Sequence, residues 1–130
     1  MKTKTKTWLQ MAEEDLAFAQ DLIKRKERFH YAVHFSHQAL EKILKAIIQE
    51  NTELAPPRTH NFKILWEQAQ VPLSEKHKEQ LLDIMPHYLG TRYPEDIQEL
   101  YKKYSEDFVK RIVQESEELF QWFKNYLTSK

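Results

Sequence analysis

The stretch YAVHFSHQALEKILKAII, Tyr31 to Ile48, decides the fold. Val33, Ser36, Leu40, Ile43, Leu44 and Ile47 recur every three or four residues, the spacing of one face of an α-helix. The pattern predicts a helix from about Phe29 to Gln49 with that stripe buried. Gln38, Glu41, Lys42 and Lys45 fall off the stripe and read as a charged face turned to solvent. His30, His34, His37 and Glu41 lie within about 60° of one another, on the flank of the stripe. Imidazole and carboxylate are good ligands for zinc or iron. Helical bundles, however, draw their metal ligands from several helices, and no acidic pair elsewhere completes the set. Boundary histidines spanning core and solvent are the plainer reading, and no metal is expected.

The flanking segments repeat the helical pattern. Trp8, Met11, Ala12, Leu16, Ala19, Leu22 and Ile23 predict a first helix from about Thr7 to Lys24. Pro56 and Pro57 stop the second helix, since each lacks a backbone N–H and the residue before a proline avoids the α region. Thr59 then reads as the cap of a short third helix, about His60 to Gln70. Ser74 caps a fourth, with a kink or break expected at Pro86. Ile97, Tyr101, Tyr104, Phe108, Ile112, Leu119, Phe123 and Tyr126 predict one long last helix from about Pro94 to Leu127. Near its end, LFQWFKNYL is apolar over about half the circumference. Such a surface packs on two neighbours, or on one neighbour and a partner chain.

Composition agrees. The chain has 130 residues, 41% of them hydrophobic, enough for one domain, residues 1–130, with one core. A single glycine argues against a turn-dense β fold, and Lys and Glu favour helix. The expected architecture is all-α, an antiparallel four- or five-helix bundle in one domain. Formal net charge is zero, which lacks the basic excess of a dedicated nucleic-acid binder. The chain has no cysteine, which removes disulfides, thiolate metal sites and a cysteine nucleophile. The N-terminal residues lack the apolar core of a signal peptide. Nothing approaches the ~20 apolar residues of a membrane span. A cytoplasmic protein without a cofactor is expected. There is no glycine-rich phosphate loop.

The lone glycine lies in HYLGTRYPED, His87 to Asp96. Gly90 suits the left-handed residue that closes a helix, and Pro94 suits the first turn of the next. Those two explain a corner. They do not explain Tyr88, Arg92 and Tyr93, three side chains able to reach a phosphate or a base. His60, after a helix cap and beside Arg58, is a further candidate, because helix N-termini attract phosphate.

Four pieces of the chain, in order, resemble the HEPN domain family. WLQMAEEDLAFAQDL resembles its opening helix. Ala32, Gln38, Ala39, Glu41, Lys42, Leu44, Lys45 and Ala46 resemble its most recognisable segment. PPRTHNFKIL resembles its Thr-His entry to the third helix, and YLGTRYPED its Tyr-x-x-x-Arg-Tyr-Pro corner. The resemblance implies a helical bundle that forms a homodimer, with a cleft at the two-fold axis. It also implies a separately encoded minimal nucleotidyltransferase as partner, in a toxin–antitoxin type module. Its expected site binds nucleotide or RNA phosphate through Arg92, Tyr93, His60, Lys42 and Tyr88.

Several members of the family are metal-independent ribonucleases. They carry Arg, four to six residues, then His at a late helix: Arg holds phosphate and His moves protons. Here no histidine follows His87. Arg28 and His34 have that spacing, but on the second helix. A catalytic residue is therefore unknown, and a binding protein is the first expectation. A ribonuclease with His60 or His87 as an unconventional proton carrier is the second. A pure interaction module using the apolar end of the last helix is the third.

Overall fold

The computed structural model describes residues 1–92 and 95–129, with Arg92 as backbone only. Seven helices and no strand are present among the described residues. They are α1 (Thr3–Arg25), α2 (Phe29–Asn51), α3 (Phe62–Ala69), α4 (Glu75–Ile84), α5 (Pro86–Arg92), α6 (Ile97–Lys103) and α7 (Glu106–Thr128). No helix among the described residues is long and apolar enough to cross a membrane.

The centre is α2. All six stripe positions of the sequence pattern are buried, and Ala32, His37, Ala39, Glu41, Ala46 and Ile48 join them. A helix buried over so much of its girth must be enclosed by several neighbours, and α1, α3, α5 and α7 all pack on it. The charged-face reading therefore fails at Glu41, which is 5% exposed.

Short links set the topology. Past Arg25, Lys26 adopts the left-handed conformation, and its N–H and that of Glu27 return to Ile23 and Leu22 carbonyls. This closure is usually glycine's. The chain then reverses, so α1 and α2 are antiparallel, with Thr5 and the Lys2 amide both bonded to Glu50 at 2.9 Å. By contrast α2 and α7 run parallel. At their C-terminal ends Asn51 Nδ2 donates to the Tyr126 hydroxyl at 2.9 Å. At their N-terminal ends Arg28, Phe29, Ser105 and Glu106 share one cavity. Helices α3 to α6 return the chain between them.

Three local expectations are corrected. First, α3 starts at Phe62, not His60, because Asn61 is the better cap: its side chain accepts from the Lys63 and Ile64 amides at 2.9 and 3.3 Å. The Thr59 hydroxyl accepts from the Asn61 amide instead. Second, the last segment is two helices. Ser105 and the acids Glu106 and Asp107 form a fresh helix start, which an unbroken apolar period conceals. Asp96 caps α6 in the same manner. Third, Gly90 lies inside α5 and, among the described residues, no glycine has positive φ. Its lack of a Cβ serves a close approach, since a Cβ there would stand 2.7 Å from the Tyr104 hydroxyl. The expected break at Pro86 is present between α4 and α5. The wide apolar end of α7 buries Leu119, Phe120, Phe123 and Leu127. Trp122 stacks on Tyr126 and meets His77 of α4.

Candidate functional site

The sequence candidates divide among the elements. Tyr88 lies on α5, His60 immediately before the Asn61 cap of α3, and Lys42 on α2. Position 92 ends α5; the Arg92 side chain and the whole of Tyr93 lie outside the described residues. His60 and Tyr88 are brought together, their rings 4.5 Å apart. Lys42 turns toward α1, where it pairs with Asp15 at 2.6 Å.

Tyr88 is the hub. It is almost fully buried, so its ring is not open to a phosphate or a base as the sequence suggests, and three imidazoles surround it. His34 stacks on it at 4.8 Å and His37 at 4.4 Å, both nearly parallel, and His60 lies tilted beside them. His34 and His37 are one turn apart on α2, which puts both on the α5 side. Phe62 stacks on the other face of His37 at 4.2 Å. Ring stacking thus holds the ring planes.

Hydrogen bonds then fix the ring edges. His37 Nε2–H donates to the His60 carbonyl at 3.2 Å. Burial, above all, lowers the His37 pKa from 6.5 to about 3, so its ring is neutral near pH 7. His60 Nδ1–H donates to the Glu41 carboxylate at 2.6 Å. Burial raises the Glu41 pKa, while the His60 hydrogen bond and the charges of His60, Lys45 and Lys42 oppose the rise. A carboxylate withdrawn from water is offset only by strong partners. The short bond from His60 is the partner supplied here.

The outcome is one exposed imidazole on a buried anchor. The His60 side chain is 56% exposed, against 6% for Glu41. With Nδ1 engaged, Nε2 is the nitrogen that remains for chemistry. It can take up a proton, or donate to an oxyanion once protonated. The sequence marks Glu41 only beside the α2 histidines and on a charged face, not as the partner of His60, a pairing that spans 19 residues of sequence. Only the buried position of Glu41 on α2 signals it, and the breadth of that burial is hidden until the neighbours of α2 are known.

The other histidines go elsewhere. The Gln38 amide donates to His34 Nε2 at 3.0 Å. His87 Nδ1 bonds the Tyr104 hydroxyl at 3.0 Å. Its pKa is lowered by burial, then by Lys103 and Arg111. His30 faces a cavity shared with Tyr101 and Glu106. Among the described residues no three His, Cys, Asp or Glu side chains gather closely enough to hold a metal ion.

Comparison with known proteins agrees with this architecture. The chain resembles TT1696 from Thermus thermophilus, whose crystal structure superposes with a TM-score of 0.78. The match covers 95% of this chain and 98% of that one at 19% sequence identity, so it speaks for the fold alone. No curated protein matches significantly. The HEPN domain pattern matches residues 5–126. With that match spanning nearly the whole chain, the protein belongs to the HEPN domain family.

Proposed function

We propose that the protein binds nucleotide or RNA phosphate where His60 and Tyr88 meet the end of α5. In this reading it works as a homodimer beside a separately encoded minimal nucleotidyltransferase, in a toxin–antitoxin type module. The observation that carries the proposal is the exposed His60 imidazole anchored on buried Glu41 at 2.6 Å. Holding a ring this way costs the desolvation of a carboxylate. That cost is understandable where the outward nitrogen has a ligand. Arg92 follows Tyr88 by one helical turn and supplies the bidentate phosphate contact in this reading. Lys42, paired with Asp15, contributes charge rather than direct contact. The test is fluorescence anisotropy with labelled RNA. Arg92→Ala and His60→Ala weaken binding about tenfold or more, for the loss of one charge-assisted hydrogen bond, with unchanged circular dichroism. Normal affinity in both variants refutes the site, and an unfolded Arg92→Ala shows that the arginine is structural.

The same His60–Glu41 pair favours a second reading, a metal-independent ribonuclease with His60 as proton carrier. Cleavage of labelled RNA in EDTA, lost in His60→Ala, would replace the binding-only reading. Activity lost only in His87→Ala would move the carrier to the Tyr104 side of α5.

A further inference from the structure

Aromatic rings line one outer face of the bundle. Phe18 of α1 meets Phe35 of α2 edge-on at 4.7 Å, and Phe35 meets His34 at 5.4 Å. One turn before Phe35, Tyr31 lies 4.3 Å from His30, which in turn meets Tyr101 of α6 at 5.7 Å. Phe18, Tyr31 and Tyr101 are 43%, 45% and 55% exposed. Leu54, Ile64, Leu82 and Leu89 are exposed too, but singly, on four different segments. Scattered apolar residues of that kind need no explanation, whereas an exposed ring-rich face spanning three helices does.

The same face is poor in free charge. In a chain that is 31% charged, Phe29 to Leu40 contains no Asp, Glu, Lys or Arg. On α1 the acids three residues before and after Phe18 are both paired within the chain, Asp15 with Lys42 at 2.6 Å and Asp21 with Arg25 at 3.0 Å. Aromatic enrichment together with depletion of charge marks the core of a protein interface.

We propose that this face docks a second copy of the chain, about a two-fold axis that crosses α1 and α2 near the Phe18–Phe35 pair. At such an axis a residue meets its own copy, so a charge there would face its like, and an uncharged aromatic centre avoids that repulsion. Away from the axis, opposite ends of the face meet. Because α1 and α2 are antiparallel, Arg28 and Glu14 lie on opposite sides of the Phe18–Phe35 pair, and both are exposed. The axis brings the Arg28 of each copy toward the Glu14 of the other, a pairing of opposite sign. The area suffices as well. Each helix has 23 residues and is about 35 Å long, so two of them, each about 10 Å wide, present roughly 700 Å² before side-chain relief. A standard interface buries about 800 Å² per partner. His34 joins this face to the candidate site, since it meets Phe35 and stacks on Tyr88. The inference names the face of the homodimer in the reading above, and it rests on that reading for the second copy.

The test is sedimentation equilibrium of the full chain over a concentration series. The wild type is expected to reach twice the monomer mass. Phe18→Glu and Tyr31→Glu each place an acid at an exposed position, so helix content by circular dichroism stays unchanged, and each weakens self-association at least about thirtyfold. Leu82→Glu, at an equally exposed position on α4 (42%), leaves it unchanged. Equimolar Phe18→Glu and Phe18→Lys chains, each monomeric alone, pair as a mixed dimer, because residue 18 of one copy faces residue 18 of the other. A wild type that stays monomeric throughout the series overturns the proposal. So does a dimer that survives both acidic substitutions, or one lost only in Trp122→Glu, which moves the contact to α7. Charge-swapped chains that fail to pair overturn the two-fold arrangement. No RNA enters the measurement, so a failure of RNA binding leaves this result standing, and a failure to dimerise leaves the His60 site to its own test.

Discussion

Gly90 and Tyr104 are matched across the α5–α6 corner: the tyrosine hydroxyl occupies the space a Cβ on residue 90 would need, 2.7 Å from it. The same hydroxyl bonds His87 Nδ1 at 3.0 Å, so it is not free to swing away. Gly90→Ala meets two opposed effects. Alanine favours the helix by about 1 kcal/mol, while overpacking costs about 1–3 kcal/mol. A net loss of about 1 kcal/mol is expected by urea denaturation. In a Tyr104→Phe background the clash is gone, and Gly90→Ala becomes stabilising. A penalty of the same size in both backgrounds would show that the hydroxyl is not the obstacle.

The pairing of His60 with Glu41 is readable by imidazole ¹⁵N shifts. In the wild type the neutral ring carries its proton on Nδ1, since the carboxylate 2.6 Å away holds it there. Glu41→Gln retains an acceptor and that tautomer. Glu41→Ala removes it, and the Nε2–H form, ordinarily preferred in water, returns. If Glu41→Ala leaves the shifts unaltered, the carboxylate does not orient the ring. The fate of RNA binding in Glu41→Ala then separates orientation from mere contact, because His60 itself is still present.

Acid sensitivity follows from His37. Its pKa of about 3 in the folded chain lies below the ordinary 6.5. Between those values the unfolded chain binds the extra proton. Stability therefore rises with pH through that window and is lost as pH falls, at about 1.4 kcal/mol per pH unit for one proton. His30 and His87, both shifted down, act in the same sense. Glu41, shifted up, acts in the opposite sense above its ordinary carboxylate value. His37→Leu is expected to flatten the slope near pH 5 by about one proton. Identical slopes in denaturation curves between about pH 4 and 7 would mean that His37 titrates normally.

The start of α3 offers a clean comparison of two neighbouring caps. Asn61 accepts from two helix amides, at 2.9 and 3.3 Å, whereas Thr59 serves one amide ahead of the helix. Asn61→Ala is expected to cost about 1 kcal/mol and Thr59→Ala about half that or less. The reverse order, read from thermal melts, would restore the cap to Thr59.

These cases show what is legible in the residues. The all-α class and the inward stripe of α2 depend on apolar spacing alone, which is local, and every one of the six positions is buried. The break at Tyr104–Ser105 is masked because the apolar period runs through it, although Ser105, Glu106 and Asp107 spell a helix start. Gly90 reads as a left-handed turn because glycine's conformational freedom is visible in sequence, whereas a tyrosine hydroxyl arriving from beyond α6 is not. Of the sequence candidates, the fold brings His60 and Tyr88 together, but Tyr88 is almost fully buried and packs the rings in place rather than reaching outward, which residue type alone does not reveal. Glu41 escapes because its burial depends on α3 and α5 closing over α2.

The parallel course of α2 and α7 bears on the order in which the molecule assembles. Helices α1 and α2 form a hairpin through a three-residue link, and their contacts form at small cost in loop entropy. The seam between Asn51 and Tyr126 joins residues 75 apart, and it can close only after the whole return segment has found its place. Damage to the hairpin should therefore slow folding, and damage to the distant seam should chiefly hasten unfolding. The rings packed around Tyr88 between α5 and α2 would then be among the last parts to become sealed, and among the first to reopen.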